Sequence, residues 1–303
     1  MTKSLFVTII GLANAGKSSL TNALTGEKIA AVTYKPQTTR TRITGIKTDD
    51  KTGIQYVFTD TPGIVPHTKN RLNERMNKTV KEAESGADLL LIMVDLTKKT
   101  TETEQNLIRS RAFVRNKILL LNKTDTVKDK ALVAERIAQL TSICDFSEVI
   151  PISVKTGDNL DVLRGCLERF AKESVHFFPD DKFTDQSEQL LASEFIRENA
   201  LLLLDDEIPH GIAVGIEKFA ERDTKSGETI LDIEAVIYCE RESHKGIIIG
   251  KKGSMLKKIG ETSRIALENF FAIKVNLQLW VKVKEDWRNR ENFISQIMEK
   301  QYH

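Results

Sequence analysis

The chain has 303 residues, 40% hydrophobic and 29% charged, with 45 Lys and Arg against 43 Asp and Glu; this fits a soluble globular protein with room for two cored domains. Its longest apolar runs, such as Leu89–Val94, are too short to span a bilayer, and Met1–Ser4 leads straight into a strand-like segment without a secretory h-region. Three dispersed cysteines (Cys144, Cys166, Cys239) argue against a disulfide framework and for reduced thiols in the cytosol, and the five histidines make no metal-ligand pattern with them.

In chain order, Leu5–Ile10 reads as a strand and Lys17–Leu24 as a helix. Between them, Gly11-Leu12-Ala13-Asn14-Ala15-Gly16-Lys17-Ser18 fits G-x-x-x-x-G-K-[ST] in the strand–loop–helix setting that the motif needs. Glycines let such a backbone wrap a diphosphate, and amides at the helix start point at its oxygens. Nucleotide contacts are expected from Gly11, Asn14, Ala15, Gly16, Lys17, Ser18 and Ser19, with Lys17 on the β- and γ-phosphates and the Ser18 hydroxyl on Mg²⁺. Gln37-Thr38-Thr39-Arg40 follows in a polar stretch, where Thr39 is expected to close over Mg²⁺ and the γ-phosphate. Gly45–Thr48 and Gln55–Thr59 read as a hairpin around Asp49–Gly53. The second strand ends in Asp60-Thr61-Pro62-Gly63, with Asp60 expected to hold Mg²⁺ through its water shell and Gly63 to present its amide to the γ-phosphate.

A helix near Asn70–Glu84, a strand at Asp88–Val94, a helix near Thr103–Val114 and a strand at Ile118–Leu121 come next. The last of these runs into Asn122-Lys123-Thr124-Asp125, at a strand's C-terminal end, where open α/β sheets bind ligands. A carboxylate at Asp125 can accept from the N1–H and N2 amine of guanine, whereas adenine would leave it unpaired at a cost of roughly 1–3 kcal/mol. Helix Lys130–Thr141, strand Glu148–Ile150 and helix Leu160–Lys172 complete the run. Ile152-Ser153-Val154 offers a backbone donor for guanine O6, which puts Ser153 and Val154 with Asn122, Lys123 and Asp125 on the base side. Strands separated by helices predict an α/β, doubly wound, mostly parallel sheet.

The pattern fades over Ser174–Gln186 and a second order follows. Ser187–Leu204 is helical, Ile212–Ala220 and Thr229–Cys239 are strands, His244–Ile249 is helix or strand, and Ser254–Phe270 is helical. Val275–Val283 alternates, with Asn276, Gln278, Trp280 and Lys282 on its polar face, and Trp287–Lys300 reads as a final helix. Trp280 stacks a base or packs under that helix, and the usual burial of tryptophan favours packing. Residues 181–240 hold 5 Lys and Arg against 15 Asp and Glu, and residues 241–290 hold 12 against 5, which points to a polyanion-binding face near the C-terminus. Within it, Gly250-Lys251-Lys252-Gly253 combines two glycines that let a sugar–phosphate backbone approach with two lysines that neutralise it. Lys257, Lys258, Lys282, Lys284, Arg288 and Arg290 are further candidate phosphate contacts.

The five nucleotide motifs, in this order, resemble those of translation-factor-class GTPases. Ile249–Gly253 with Leu256 and Ile259 resembles the GXXG loop and helix of a KH domain, of type II (an α+β fold) if His244–Ile249 is helical. Together with Ala30–Arg42, Phe178-Pro179-Asp180, Ala192-Ser193-Glu194, Ile196-Arg197-Glu198 and Leu279–Lys284, they make nearly the whole chain similar to the Era family of bacterial ribosome-assembly GTPases. The resemblance implies a G domain over 1–173, a linker over 174–186 and a KH domain with a C-terminal helix over 187–303. It implies GTP and GDP as ligands, Mg²⁺, a monovalent cation (K⁺) held with the help of Asn14, and catalysis centred on Lys17, Thr39 and Gly63. It further implies a monomer that binds the 3′ end of small-subunit ribosomal RNA in maturation of the 30S subunit, cytoplasmic with peripheral contact at the inner membrane. Ile64 stands where many GTPases place a water-orienting glutamine, so hydrolysis is expected to be slow and accelerated by a partner. Two departures are Ala13, where the family usually has proline, and Val154, where alanine commonly follows the serine; neither removes a donor. Two competing readings are an RNA-binding scaffold with GTP as a structural ligand, and a P-loop kinase or ATPase, which Asp125 opposes.

Overall fold

The computed structural model describes residues 2–66, 70–204 and 211–298. They form two compact units: residues 2–30, 39–66 and 74–185, and residues 31–38, 70–73, 186–204 and 211–298.

In chain order the first unit contains β1 (Lys3–Gly11), α1 (Lys17–Thr25), β2 (Ile43–Asp49), β3 (Ile54–Asp60), all but the first three residues of α2 (Arg71–Ser85), β4 (Leu89–Asp95), α3 (Glu102–Arg109), β5 (Lys117–Asn122), α4 (Lys130–Thr141), β6 (Glu148–Ile152), α5 (Leu160–Glu168) and β7 (Lys172–Glu173). The sheet runs β2-β3-β1-β4-β5-β6, parallel except for β2, with β7 antiparallel beside β1. Leu89–Val94 of β4 and Ile118–Leu121 of β5 are continuous apolar runs because both faces of these strands are covered. Leu5, Leu91 and Leu120 pack with Leu20 of α1 and Leu163 of α5, while Ile92, Leu119 and Leu121 pack with Val80 of α2, Ile108 of α3 and Leu140 of α4. The doubly wound layout is therefore present, and it carries the ends of β1, β3, β5 and β6 to one edge.

Two helices are shorter than their periodicity suggests. α3 stops at Arg109, and the buried Lys117 ammonium gathers the Ala112 and Val114 carbonyls at 3.0 and 2.6 Å. α5 stops at Glu168, and Lys172 instead pairs with Ser4 in β7. The chain then follows the sheet: the Gln55 amide binds the Phe177 and Phe178 backbone, Phe177 meets the Phe6 ring edge at 5.0 Å, and the Phe183 carbonyl accepts from Ile46. Residues 174–185, whose composition reads as a linker, thus lie along this unit.

The second unit contains α6 (Glu188–Leu203), β8 (Ala213–Asp223), β9 (Thr229–Cys239), α7 (Glu242–Ile249), α8 (Ser254–Phe271), β10 (Lys274–Val283) and α9 (Glu291–Met298). Ser187 caps α6 by accepting from the Leu190 amide. β9 is central, parallel to β10 and antiparallel to β8. Phe195, Ile196, Ile233, Ile248, Ile259 and Leu267 share its core. His244–Ile249, ambiguous by pattern, is helical, which completes the type II order helix–strand–strand–helix–helix–strand. Segment 31–38 belongs to this unit through α6, where the Val32 amide donates to Glu198 at 3.0 Å and Arg197 donates to the Thr38 carbonyl.

The two tryptophans differ sharply in burial. Trp280 does not pack under the last helix; it is 41% exposed on the sheet face turned away from α7 and α8. Trp287 is fully buried instead, with its indole N–H on the Gly211 carbonyl at 2.9 Å and its ring against Phe293. The predicted Trp287–Lys300 helix begins as a 3-10 turn over Trp287–Asn289 and, among the described residues, is α-helical over α9; its last two residues lie outside those described.

Candidate nucleotide and nucleic-acid sites

The loop from β1 to α1 takes a conformation that suits its residues. Asn14 (φ 65°) and Gly16 (φ 105°) are left-handed, and no side chain caps α1, so its first amides are offered to a ligand. A Cβ on Gly16 would lie 2.3 Å from Asn122 Nδ2, so only glycine lets the loop close against β5. Lys17 is 6% exposed and donates to the Gly11 and Leu12 carbonyls at 3.2 and 3.0 Å. Burial pushes its pKa down to about 8, against the opposing pull of the Asp60 carboxylate.

Ser18, Thr39 and Asp60 come together from three separate segments. Asp60 Oδ2 accepts from Ser18 at 2.6 Å and from Thr39 at 3.5 Å, and the two hydroxyls lie 2.8 Å apart. Asp60 is fully buried and its Oδ1 has no hydrogen-bond partner. Burial raises its pKa to about 6, partly offset by Lys17 and by hydrogen bonds from Ser18, Thr39 and the Thr61 amide. A buried carboxylate oxygen with an open valence, beside two hydroxyls, is the donor set of a hard, oxygen-seeking dication. The residues present therefore fit Mg²⁺. Gly63 lies against the loop so closely that a Cβ would sit 2.9 Å from the Ala13 backbone, and the Ile64 amide donates to Gly11 at 3.3 Å. The Ile64 side chain packs onto the sheet core, as its apolar character requires.

The base-side motifs also converge. Asn122 Nδ2 donates to the Ala15 carbonyl at 2.8 Å, and its Oδ1 accepts from the Val154 amide at 3.1 Å. One side chain thus ties the phosphate loop to the turn after β6. Of the backbone amides in Ile152-Ser153-Val154 from which a donor to guanine O6 was expected, that of Val154 is engaged by Asn122 and that of Ser153 by the Asp158 carbonyl. Ser153 is fully buried and donates to Asp125 Oδ1 at 2.8 Å, while Asp125 itself is exposed. Lys123, left-handed at φ 75°, sends its ammonium to Asp95, a residue that sequence reasoning missed. Ser19 lies in the first turn of α1.

In the second unit, Gly250 (φ 73°), Lys252 (φ 53°) and Gly253 (φ 79°) make a tight left-handed turn between α7 and α8. A Cβ on Gly250 would come 2.7 Å from Met255, whereas Gly253 faces open space and depends on glycine for its φ alone. Lys251, Lys252, Lys257 and Lys258 are exposed. From this turn an open groove of about 440 Å³ runs between α8 and β10, with Leu256, Leu277 and Leu279 as apolar lining and Lys257, Glu261 and Arg264 as its charged residues, Arg264 also donating twice to Glu268. Arg264, Leu277 and Leu279 were not among the expected contacts; the odd-residue face of β10 was the sequence signal for the two leucines, and Arg264 comes from α8. Three expected contacts are engaged elsewhere. Lys282 is on the opposite sheet face and pairs with Glu217, Lys284 lies over the Phe293 ring, and Arg288 makes two hydrogen bonds to Glu240.

A phosphate loop, a dication triad and a guanine-type base loop on one doubly wound sheet, followed by a type II KH fold, define a GTPase with a KH module. A family model described as "50S ribosome-binding GTPase" matches residues 6–123, and one described as "KH domain" matches residues 207–288. GTPase Era of Clostridioides difficile (strain 630) is 46% identical over 97% of this chain and 98% of its own, and that of Ruminiclostridium cellulolyticum is 43% identical over 96% of each. The chain belongs to the Era family and is a GTPase. Among solved structures, an Aquifex aeolicus Era variant bound to GDP and AlF4⁻ superposes with a TM-score of 0.92 at 34% identity, covering 98% of this chain and 99% of that one. Era in complex with MgGDPNP and nucleotides 1506–1542 of 16S ribosomal RNA gives a TM-score of 0.91 at the same identity and coverage.

Proposed function

We propose that this GTPase is a nucleotide-controlled RNA clamp, in which the state of the nucleotide sets the affinity of the KH groove for the 3′ end of small-subunit ribosomal RNA during maturation of the 30S subunit. The observation that carries this reading is the presence, in one chain, of a phosphate-and-dication site and an exposed glycine–lysine turn opening onto an apolar groove. The Era relative bound to MgGDPNP and 16S ribosomal RNA supports it. Residues 1–173 form the nucleotide-binding domain, 187–303 the RNA-binding domain, and 174–186 join them. Gly250 and Gly253 let the RNA backbone approach, Lys251, Lys252, Lys257 and Lys258 neutralise it, and the groove receives unpaired bases.

At the nucleotide site, Gly11, Asn14, Ala15, Gly16, Ser18 and Ser19 wrap the phosphates, and Ser18, Thr39 and Asp60 hold Mg²⁺. When bound, Mg²⁺ neutralises charge on the β- and γ-phosphates. Lys17 exchanges its carbonyl partners for phosphate oxygens, and that negative charge favours its ammonium form against burial. Gly63 directs its amide at the γ-phosphate, and Ile64 keeps its side chain out of the chemistry. Asn122, Lys123, Asp125, Ser153 and Val154 hold the guanine. Hydrolysis then depends on positioning and charge stabilisation, which leaves basal turnover slow. Asn14, left-handed in the phosphate loop, helps bind K⁺. Turnover in potassium buffer should exceed that in sodium buffer at equal ionic strength, and equal rates would remove K⁺ from the scheme. The reading further comprises a monomer in the cytoplasm with peripheral contact at the inner membrane, for which the basic 241–290 stretch is the support. Among the described residues no helix is long and apolar enough to cross a membrane.

The test is binding of a single-stranded 16S 3′-end oligonucleotide to the full chain loaded with GDP or a non-hydrolysable GTP analogue. The analogue form should bind tighter. A Lys251→Ala/Lys252→Ala variant should lose about tenfold or more in affinity and flatten the log–log salt slope by about 1.4, the contribution of two phosphate contacts. Equal affinity in both nucleotide states, with turnover indifferent to RNA, would make GTP a structural ligand on an RNA scaffold instead.

A further inference from the structure

Asp95 ends β4 directly beside Asn122, its register partner at the end of β5. It is 5% exposed, although it lies outside every motif that marks the nucleotide site. Its two carboxylate oxygens do different work. Oδ1 accepts from the Thr97 amide at 2.9 Å and the Thr97 hydroxyl at 2.6 Å, which closes a local turn. Oδ2 accepts from the Lys123 ammonium at 2.7 Å. Lys98 is more distant, at 4.0 Å, and largely exposed. Burial alone would push the Asp95 carboxyl up, but the bonds from Lys123 and Thr97 outweigh it and hold the group below the ordinary carboxylate range.

The consequence lies two residues further on. Lys123 is followed at once by Thr124 and Asp125, and Asp125 is exposed with only Ser153 donating to its Oδ1. An ammonium on a flexible four-carbon stem beside an exposed carboxylate has an obvious competing partner. Pairing with Asp125 would occupy the acceptor that has to meet the N1–H and N2 amine of guanine. We propose that Asp95 is a positioning residue for base recognition: it holds the Lys123 ammonium away from Asp125 and so keeps that carboxylate available to guanine. Asp95 touches neither base nor phosphate in this account and acts through Lys123. The proposal rests on the reading of Asp125 as the guanine acceptor.

Asp95→Asn separates the two oxygens. The asparagine carbonyl still accepts from Thr97, so the turn survives, but its amide nitrogen cannot accept from Lys123. The full-length variant should bind GDP about tenfold more weakly, the loss expected for one charge-assisted bond. Its kcat at saturating GTP should stay within about twofold, because the lost interaction is made equally in ground and transition states. Its preference for GDP over IDP, which lacks the N2 amine, should narrow. In a Lys123→Met background, which keeps the stem and removes the charge, Asp95→Asn should cost nothing further. GDP affinity and GDP:IDP preference both within about twofold of the parent, or full additivity with Lys123→Met, would overturn the role of Asp95. If Asp125→Asn also leaves base choice unchanged, the guanine reading itself falls and this proposal with it. A base switch in Asp125→Asn alongside a silent Asp95→Asn would remove Asp95 alone.

Discussion

Gly16→Ala is expected to lose nucleotide affinity by about 100-fold or more, measured by fluorescence titration with labelled GDP. Two independent penalties add. An L-residue at φ 105° is strained by roughly 1–3 kcal/mol. The new methyl would also fall 2.3 Å from Asn122 Nδ2, in a place where neither partner has freedom. Asn122 is held at both ends, by the Ala15 carbonyl and the Val154 amide, and each buried bond it loses costs about 1 kcal/mol. The damage therefore spreads from the phosphate loop to the base side, so affinity for guanosine, whose base-side contacts need no phosphate, should fall as well. RNA binding by the nucleotide-free variant is the internal control and should match that of the nucleotide-free parent, since the GXXG turn belongs to the other compact unit. GDP binding within about tenfold of the parent would show that the loop can reach its bound form without this closure.

The contrast between Gly16 and Asp95 marks what was legible in the sequence. The phosphate loop, the Asp60–Gly63 turn, the Asn122–Asp125 loop and the GXXG turn are each contiguous, and their chemistry depends on local backbone shape that a short peptide pattern encodes. The doubly wound sheet was legible for the same reason: Leu89–Val94 of β4 and Ile118–Leu121 of β5 are unbroken apolar runs because two cores cover them, and the intervening helices are periodic. Convergence across the fold was not legible. Nothing in Leu91-Ile92-Met93-Val94-Asp95 marks its last residue as the partner of Lys123, because that pairing is made by the register of β4 on β5. Lys282 and Lys257 both look like phosphate contacts in a basic stretch, but strand alternation puts Lys282 on the far sheet face while Lys257 lines the groove. Trp280 and Trp287 differ for a comparable reason. Trp287 is buried because a carbonyl 76 residues earlier, at Gly211, satisfies its N–H, and no local pattern announces that.

Asp125→Asn should convert the preference from guanine to xanthine nucleotides, and the geometry explains why the exchange is nearly isosteric. Asp125 Oδ1 accepts from the buried Ser153 hydroxyl, and an asparagine carbonyl accepts that bond equally well. The amide nitrogen then takes the place of Oδ2. Against guanine, this sets a donor against the N2 amine, so an acceptor is lost and two donors are opposed. Against xanthine, whose C2 carries an oxygen, the same nitrogen donates while the carbonyl oxygen still accepts from N1–H. Replacing a charge-assisted bond costs about 1.5–3 kcal/mol, and the opposed donors add the desolvation of an unpaired group, so GDP affinity should fall by about 100-fold or more. Because Asp125 is exposed before the base arrives, the substitution should leave the thermal midpoint unchanged within about 2 °C, and the loss belongs to binding alone. XTP should restore kcat to near the parent value, since the phosphate loop, Ser18, Thr39 and Asp60 lie on segments that the change does not touch. Competition of GDP, XDP and ADP for the variant decides the matter. A uniform loss for all three would mean that Asp125 supports the loop's shape without reading the base, while gain of XDP with loss of GDP is the signature of a carboxylate that selects guanine.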